Sequence, residues 1–234
     1  MRFSLLHKEA DSMYIYNAYV FAPVSNYPQC LLDGNTVAWW NMLDETKIVK
    51  DSQNRVIRVI PSISGLPDMT QNSDIYKPLY SVGNGILFDG VDDYMKSTVP
   101  SLKYIYMVVN QLSNASAYKL FFSFLTSNAQ IGQASGSLQM YMWNYADVIN
   151  APETALGRNI IIRALINGDN SYLATDDTKY YGNVPVSGDN EISVASQGGR
   201  FPVNMFLKEI IIRSNVTLDD DLVIYNYLKV KYNL

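Results

Sequence analysis

Cysteine and histidine are almost absent from this chain. Among its 234 residues there is one of each, Cys30 and His7. A single cysteine excludes an intrachain disulfide and leaves no partner for a cysteine-ligated zinc cluster. Cys30 reads instead as a small buried hydrophobe. A Ser-His-Asp or Cys-His arrangement would have to use His7, close to the N-terminus, which argues against such catalysis. Charged residues make up only 17%, the formal net charge is −4, and no block of lysine or arginine occurs. The basic patch that a nucleic acid needs is therefore missing. No segment reaches the ~18 apolar residues of a membrane helix. The opening Met-Arg-Phe-Ser-Leu-Leu-His-Lys has an apolar run of two before His7, where a secretory leader needs roughly 7–15. These absences predict no nucleic-acid partner and no membrane partner. They leave a cytoplasmic chain, a mature form, or one that reaches the outside by another route.

What the chain has in quantity is apolar and aromatic surface. Hydrophobic residues make up 48% and tyrosine numbers 18, so a sizeable core is expected and wholesale disorder is not. Tyrosine favours strands and packs its ring while keeping its hydroxyl wet. Gly85-Ile-Leu-Phe-Asp-Gly-Val-Asp-Asp-Tyr-Met95 reads as two short strands around an Asp89-Gly90 turn, because glycine takes φ > 0 without steric cost. Val56-Ile-Arg-Val-Ile60 alternates with period two, as a half-buried strand does. Residues 61–80 carry Pro61, Gly65, Pro67 and Pro78 and read as a long loop. Strand signals recur at 104–109, 119–125, 138–143, 159–166, 191–195 and 205–213, the spacing of a sandwich. Thr217 and Asp220 form a capping-box pattern, and Asp219, Asp220 and Asp221 suit the positive end of a helix dipole. Leu218, Leu222, Tyr225, Leu228 and Tyr232 follow at three- and four-residue spacing. The pattern predicts an amphipathic helix over 218–232 with Leu222, Tyr225 and Leu228 buried.

The run Phe88-Asp-Gly-Val-Asp-Asp-Tyr94 resembles the signature of concanavalin A-like, laminin-G-like β-sandwich domains. The resemblance extends to Trp40-Asn-Met-Leu-Asp44 and Arg55-Val-Ile-Arg-Val-Ile60. It closes with Phe206-Leu-Lys-Glu-Ile-Ile-Ile-Arg213 and Tyr227-Leu-Lys-Val-Lys-Tyr232. It departs at Lys208, where such domains have glycine, and over 110–200 it is carried only by the rhythm of strands. It implies an all-β, concanavalin A-like jelly-roll sandwich of two antiparallel sheets with a C-terminal α-helix, covering 31–234. Residues 1–30 fall outside it. Their Tyr14, Tyr16, Tyr19 and Phe21 are expected to be ordered, in an added strand or in an arm docked on a neighbour.

Chains similar to this one occur as surface domains of gut bacteria and as structural proteins of tailed bacteriophages. With no leader visible, the resemblance points to a non-enzymatic virion protein of the capsid or tail. Its partners would be other virion proteins, including copies of itself. The alternative is a carbohydrate-binding module of a bacterial surface polysaccharide-binding system, extracellular or at the cell surface, with a cell-surface glycan as partner.

Three groups of residues are candidates for chemistry. Tyr141, Trp143 and Tyr145 fall on one side of a strand and, with Tyr180 and Tyr181 in an expected loop, could stack on sugar rings; core packing is the competing reading for the 141–143–145 stripe. Trp39-Trp40 begins the family match, so at least one of the two is expected in the core. Asp89, Asp92 and Asp93, joined by Asp44 if it folds nearby, are candidate calcium ligands, because family members bind this ion through aspartates and loop carbonyls. The competing reading has these acids capping a turn through backbone amides. Beyond calcium no cofactor is expected. Relatives that cleave β-glucans carry Glu-x-Asp-x-x-Glu on one strand, whereas glutamate occurs here only at 9, 45, 153, 191 and 209. The chain is therefore expected not to be an enzyme.

Overall fold

The computed structural model describes residues 2–9, 12–19, 27–114, 118–125, 129–144, 147–175, 177–185 and 190–234, the first two stretches as backbone. In chain order the strands are Arg2–Glu9 (β1), Ser12–Tyr19 (β2), Thr36–Asn41 (β3), Ile48–Lys50 (β4), Val56–Val59 (β5), Met69–Thr70 (β6), Leu79–Ser81 (β7), Gly85–Asp89 (β8), Met95–Thr98 (β9) and Tyr104–Gln111 (β10). They continue with Lys119–Phe124 (β11), Gln130–Gln133 (β12), Gln139–Asn144 (β13), Asp147–Glu153 (β14), Asn159–Leu165 (β15), Gly168–Thr175 (β16), Thr178–Val184 (β17), Glu191–Val194 (β18) and Asn204–Arg213 (β19). One α-helix, Leu218–Tyr232 (α1), follows.

Two antiparallel sheets form a β-sandwich of jelly-roll type, as the resemblance implied. One runs in the order β17-β16-β15-β10-β19-β8-β7, with β3 also paired to β19; the other runs β14-β13-β12-β11-β18-β9-β6-β5-β4. The core between them takes inward residues from both, among them Trp40, Phe88, Met107, Phe122, Met142, Ile162 and Ile210. Gln111 and Gln133 bridge the sheets inside this core. Each side-chain amide donates to the other's carbonyl, at 2.8 and 3.0 Å, and Gln133 also donates to Thr154 Oγ1 at 2.9 Å. Such reciprocal pairing is what allows amides to be buried at little cost.

The helix packs on the outer face of the first sheet. Ile224, Tyr225, Leu228 and Tyr232 meet Trp39, Tyr106, Val108, Ile161 and Ile211 there. Trp39 and Trp40, neighbours on β3, thus serve two different cores from opposite faces of one strand. Thr217 and Asp220 complete the capping box as expected. Leu222 corrects the expectation, since it is 57% exposed. The reason is Asp221, which takes the place on the buried stripe that the apolar pattern assigned to its neighbour. Its carboxylate accepts from Tyr106 Oη at 2.8 Å and Tyr172 Oη at 3.2 Å. It also pairs with Lys179 Nζ at 2.5 Å and Arg163 Nη1 at 3.4 Å. Asp221 is therefore a buried anchor as well as helix-start charge.

Lys208 sits where β19 slips register against β10, between Glu209 opposite Val108 and Leu207 opposite Val109. This β-bulge shifts which residues face inward, from Met205 and Leu207 before it to Ile210 and Ile212 after it. Its φ is not positive, so the bulge accepts lysine without the left-handed backbone that would call for glycine. The β1–β2 hairpin forms a two-stranded sheet of its own, pairing Arg2 with Tyr19 through Glu9 with Ser12. Tyr14, Tyr16 and Tyr19 lie in or at the end of β2, but their side chains, and Phe21 altogether, are outside the described residues.

Candidate functional site

The outer face of the β14-to-β4 sheet carries an open cleft of about 590 Å³. Its floor is built by register. On β13, Met140 and Met142 point into the core, so Tyr141 and Trp143 point out. Across the ladders Trp143 pairs with Gln130 on β12 and Val148 on β14, while Tyr141 pairs with Gly132 and Asn150. The three non-glycine neighbours, Gln130, Val148 and Asn150, line the cleft. The sequence stripe is thus a surface feature, and the core reading fails for Tyr141 and Trp143. Tyr145 lies outside the described residues.

Gly132 makes the floor possible. A Cβ there would stand 2.3 Å from the Lys119 carbonyl oxygen, 2.8 Å from Leu120 Cδ2 and 2.9 Å from Tyr141 Oη. The missing side chain lets Tyr141 lie across the strand. Burial, with Tyr118 adding to it, pushes the Tyr141 hydroxyl up to about 12, so it remains a neutral donor at physiological pH.

The wall comes from loops. Tyr118 and Phe201 meet edge to face, their ring centroids 6.2 Å apart. The Phe201 carbonyl accepts from Leu120 N–H at 2.9 Å, fixing this loop on β11. Gln197 adds a third amide to Gln130 and Asn150. The result is a concave aromatic surface with a few convergent polar groups, the usual composition of a small-molecule site. Tyr118 and Phe201 were not legible as site residues, since they stand in separate loops with no local pattern. Gln130 and Asn150 belong to strands whose signals are weak.

Tyr180 and Tyr181 are not part of this cleft. They lie on β17, a strand rather than a loop, at the edge of the other sheet. Tyr180 packs against the inner core, and Tyr181 points the other way, edge-on to Tyr172 at 6.1 Å. Trp39 and Trp40 are both core. Their indole N–H groups donate to Glu209 Oε1 at 2.7 Å and to the Pro67 carbonyl at 3.0 Å.

Asp89, Asp92 and Asp93 are brought together, with one carboxylate oxygen from each lying within 4.8 Å of the other two. Asp44 does not join them; it caps its own turn through Thr46 N–H at 3.1 Å. Asp89 accepts from Val91 N–H at 2.7 Å, and Asp93 accepts from Asp89 N–H at 3.0 Å. These are the bonds of turn-capping acids. Burial, and then the charges of Asp89 and Asp92, push the Asp93 carboxyl up to about 6. Asp89 Oδ1 and Asp93 Oδ2 are thus engaged with the chain, whereas a calcium ion takes six to eight oxygens. Gly90 holds this turn together: its φ is +78°, and a Cβ would stand 2.7 Å from Asn204 Cβ.

No protein-family model matches this chain, and no curated protein matches it. Solved structures do. Trypanosoma rangeli sialidase in complex with sialic acid aligns over 84% of this chain and 33% of its own length, with a TM-score of 0.62 and 10% identity. A second structure of Trypanosoma rangeli sialidase aligns over the same shares with a TM-score of 0.63 and 9% identity. The CBM40 of Ruminococcus gnavus IT-sialidase, bound to α2,3 sialyllactose, aligns over 53% of this chain and 82% of its own, with a TM-score of 0.41 and 11% identity. At these identities the likeness is one of fold, and the chain spans about a third of the length of the sialidases it resembles. This finding overturns the expectation that the chain is not an enzyme, because the same sandwich forms part of one. The expectation rested on a missing pair of strand carboxylates. Sialidases are among the glycosidases whose nucleophile is a tyrosine, so that absence does not exclude the class.

Proposed function

We propose that this chain is a carbohydrate-binding β-sandwich whose ligand lies in the Tyr141–Trp143 cleft. The observation that carries the reading is the outward pair of rings on β13, set among the amides of Gln130, Asn150 and Gln197. Pyranose C–H groups are slightly positive and suit the negative face of an aromatic ring. Amide groups then meet the hydroxyls at the sugar's edge. The aligned solved structures named above, a sialidase and a sialidase-associated module, give no support to a virion role. The alternative of a bacterial surface polysaccharide-binding module therefore becomes the main reading. It carries with it an extracellular or cell-surface location and a glycan as partner. Among the described residues no helix is long and apolar enough to cross a membrane. Residues 1–30 are kept as an N-terminal strand or docking arm and 31–234 as the binding domain.

A glycan array probed with the full chain and with Trp143→Ala tests this. We expect the wild type to bind at least one oligosaccharide and the variant to lose ten-fold or more of that signal with an unchanged melting temperature. Equal binding by both proteins would move the site elsewhere.

A further inference from the structure

We infer that the cleft selects an uncharged sugar, a neutral hexose or N-acetylhexosamine, over sialic or uronic acids; this rests on the carbohydrate-binding reading above. The polar groups on its described lining are all uncharged: the amides of Gln130, Asn150 and Gln197, the phenols of Tyr118 and Tyr141, and the indole of Trp143. Among the described residues, no lysine, arginine, aspartate or glutamate lines it. The chain next to it in sequence agrees, since residues 115–117, 126–128 and 145–146 contain no charged residue.

The nearest charges along the chain do not serve. Lys119 is 2% exposed, and burial lowers its affinity for a proton. Asp147 alternates to the face opposite Val148. Arg200 is exposed in the turn that presents Gln197 and Phe201 but does not line the cleft.

A carboxylate bound here would give up water without gaining a cation, an unfavourable exchange for a charged group. A neutral sugar asks only for hydroxyl partners, and amides offer both donors and acceptors. Selectivity of this kind arises from the penalty on the wrong ligand as much as from contacts to the right one.

The structure supplies its own reporter. Of three tryptophans, Trp39 and Trp40 are 1% and 0% exposed, so a ligand-induced change in emission reads Trp143. The full chain is titrated with cellotetraose, mannotetraose, galactotetraose and N-acetylchitotetraose. Two matched acidic probes follow, 3′-sialyllactose against lactose and tetragalacturonate against galactotetraose, each at 50 and 500 mM NaCl. We expect a neutral probe to shift the emission with an affinity that changes less than two-fold with salt, and each acidic probe to bind at least ten-fold more weakly than the best neutral one.

An acidic probe that binds more tightly than its neutral match overturns the inference and leaves carbohydrate binding intact. The same holds if binding falls steeply with salt or is lost in Arg200→Gln. Failure of every sugar by fluorescence and by calorimetry overturns the parent reading as well. Tyr141→Phe, which keeps the ring, guards against a Trp143→Ala that fails to fold.

Discussion

Gly132 and Tyr141 face one another across the β12–β13 ladder, and the Tyr141 hydroxyl occupies the space a side chain on Gly132 would need. The floor of the cleft is therefore fixed by an absence on one strand and a ring on the next.

Gly132→Ala should disturb both stability and binding. The new methyl meets a backbone carbonyl on β11, which cannot swing aside, and overpacking of this kind costs about 1–3 kcal/mol. Urea unfolding should show that loss at unchanged m-value, and titration with the best sugar should show weakened affinity as Tyr141 is displaced. A variant that melts and binds like the wild type would mean the floor is softer than described.

Asp221→Ala and Asp220→Ala should separate widely although the two residues are adjacent. Asp220 is half of an exposed capping box, whose loss costs about 1 kcal/mol. Asp221 is 5% exposed and holds Arg163 and Lys179. Removing one partner of a buried pair typically costs about 3–5 kcal/mol. Equal effects in chemical denaturation would reduce Asp221 to an ordinary dipole charge.

The Asp89–Asp92–Asp93 turn predicts a pH dependence with a definite sign. Asp93 is 7% exposed, and its folded carboxyl stands raised to about 6 from an unfolded value near 3.8. The folded state therefore holds the proton more strongly. Its contribution is full below about pH 4 and is lost as pH rises through 6, on the order of 3 kcal/mol in all. Asp93→Asn can still accept from Asp89 N–H and should flatten the stability profile between pH 4 and 7 while raising the melting temperature at pH 7.5. If calcium raises the wild-type melting temperature and this response vanishes in Asp93→Asn, the three acids are ligands after all. An unchanged profile would remove Asp93 from consideration.

Removal of residues 1–26 should leave a folded sandwich. Among the described residues the β1–β2 hairpin shares no ladder with the other two sheets, and the first described side-chain contacts belong to Tyr27, edge-on to Trp39 at 4.8 Å. Circular dichroism and thermal melting of the shortened chain should match the full chain, while any self-association seen by light scattering should be lost. A shortened chain that does not fold would make the hairpin part of the core.

Strands and helix were most legible where one face is buried and the pattern is unbroken. The signals at 104–109, 119–125 and 205–213 match β10, β11 and β19 within a few residues, and the helix bounds agree. The strands β12 and β14, which carry much of the cleft, were not legible. Gln130-Ile-Gly-Gln133 is too short and polar to signal. Asp147–Glu153 contains Pro152, which is tolerated because β14 is the edge of its sheet. Residues 206–210 break the alternation because Lys208 is a bulge. Asp221 was readable only as helix-start charge, because nothing local announces Arg163 and Lys179 waiting beneath it. The site's wall depends on Tyr118 and Phe201 meeting across 83 positions of sequence, which only the folded sheet brings about.

The position of β19 bears on how the molecule comes into being. Residues 204–213 run up the middle of their sheet, with β10 along one side and β8 and β3 sharing the other. Until that strand has been synthesised, a nascent chain holds β10 and β8 as two open edges with nothing between them. Such edges are templates for pairing with other chains, and non-local closure of this kind is slow. Truncations that remove residues 204–213 should therefore aggregate rather than yield a smaller soluble domain.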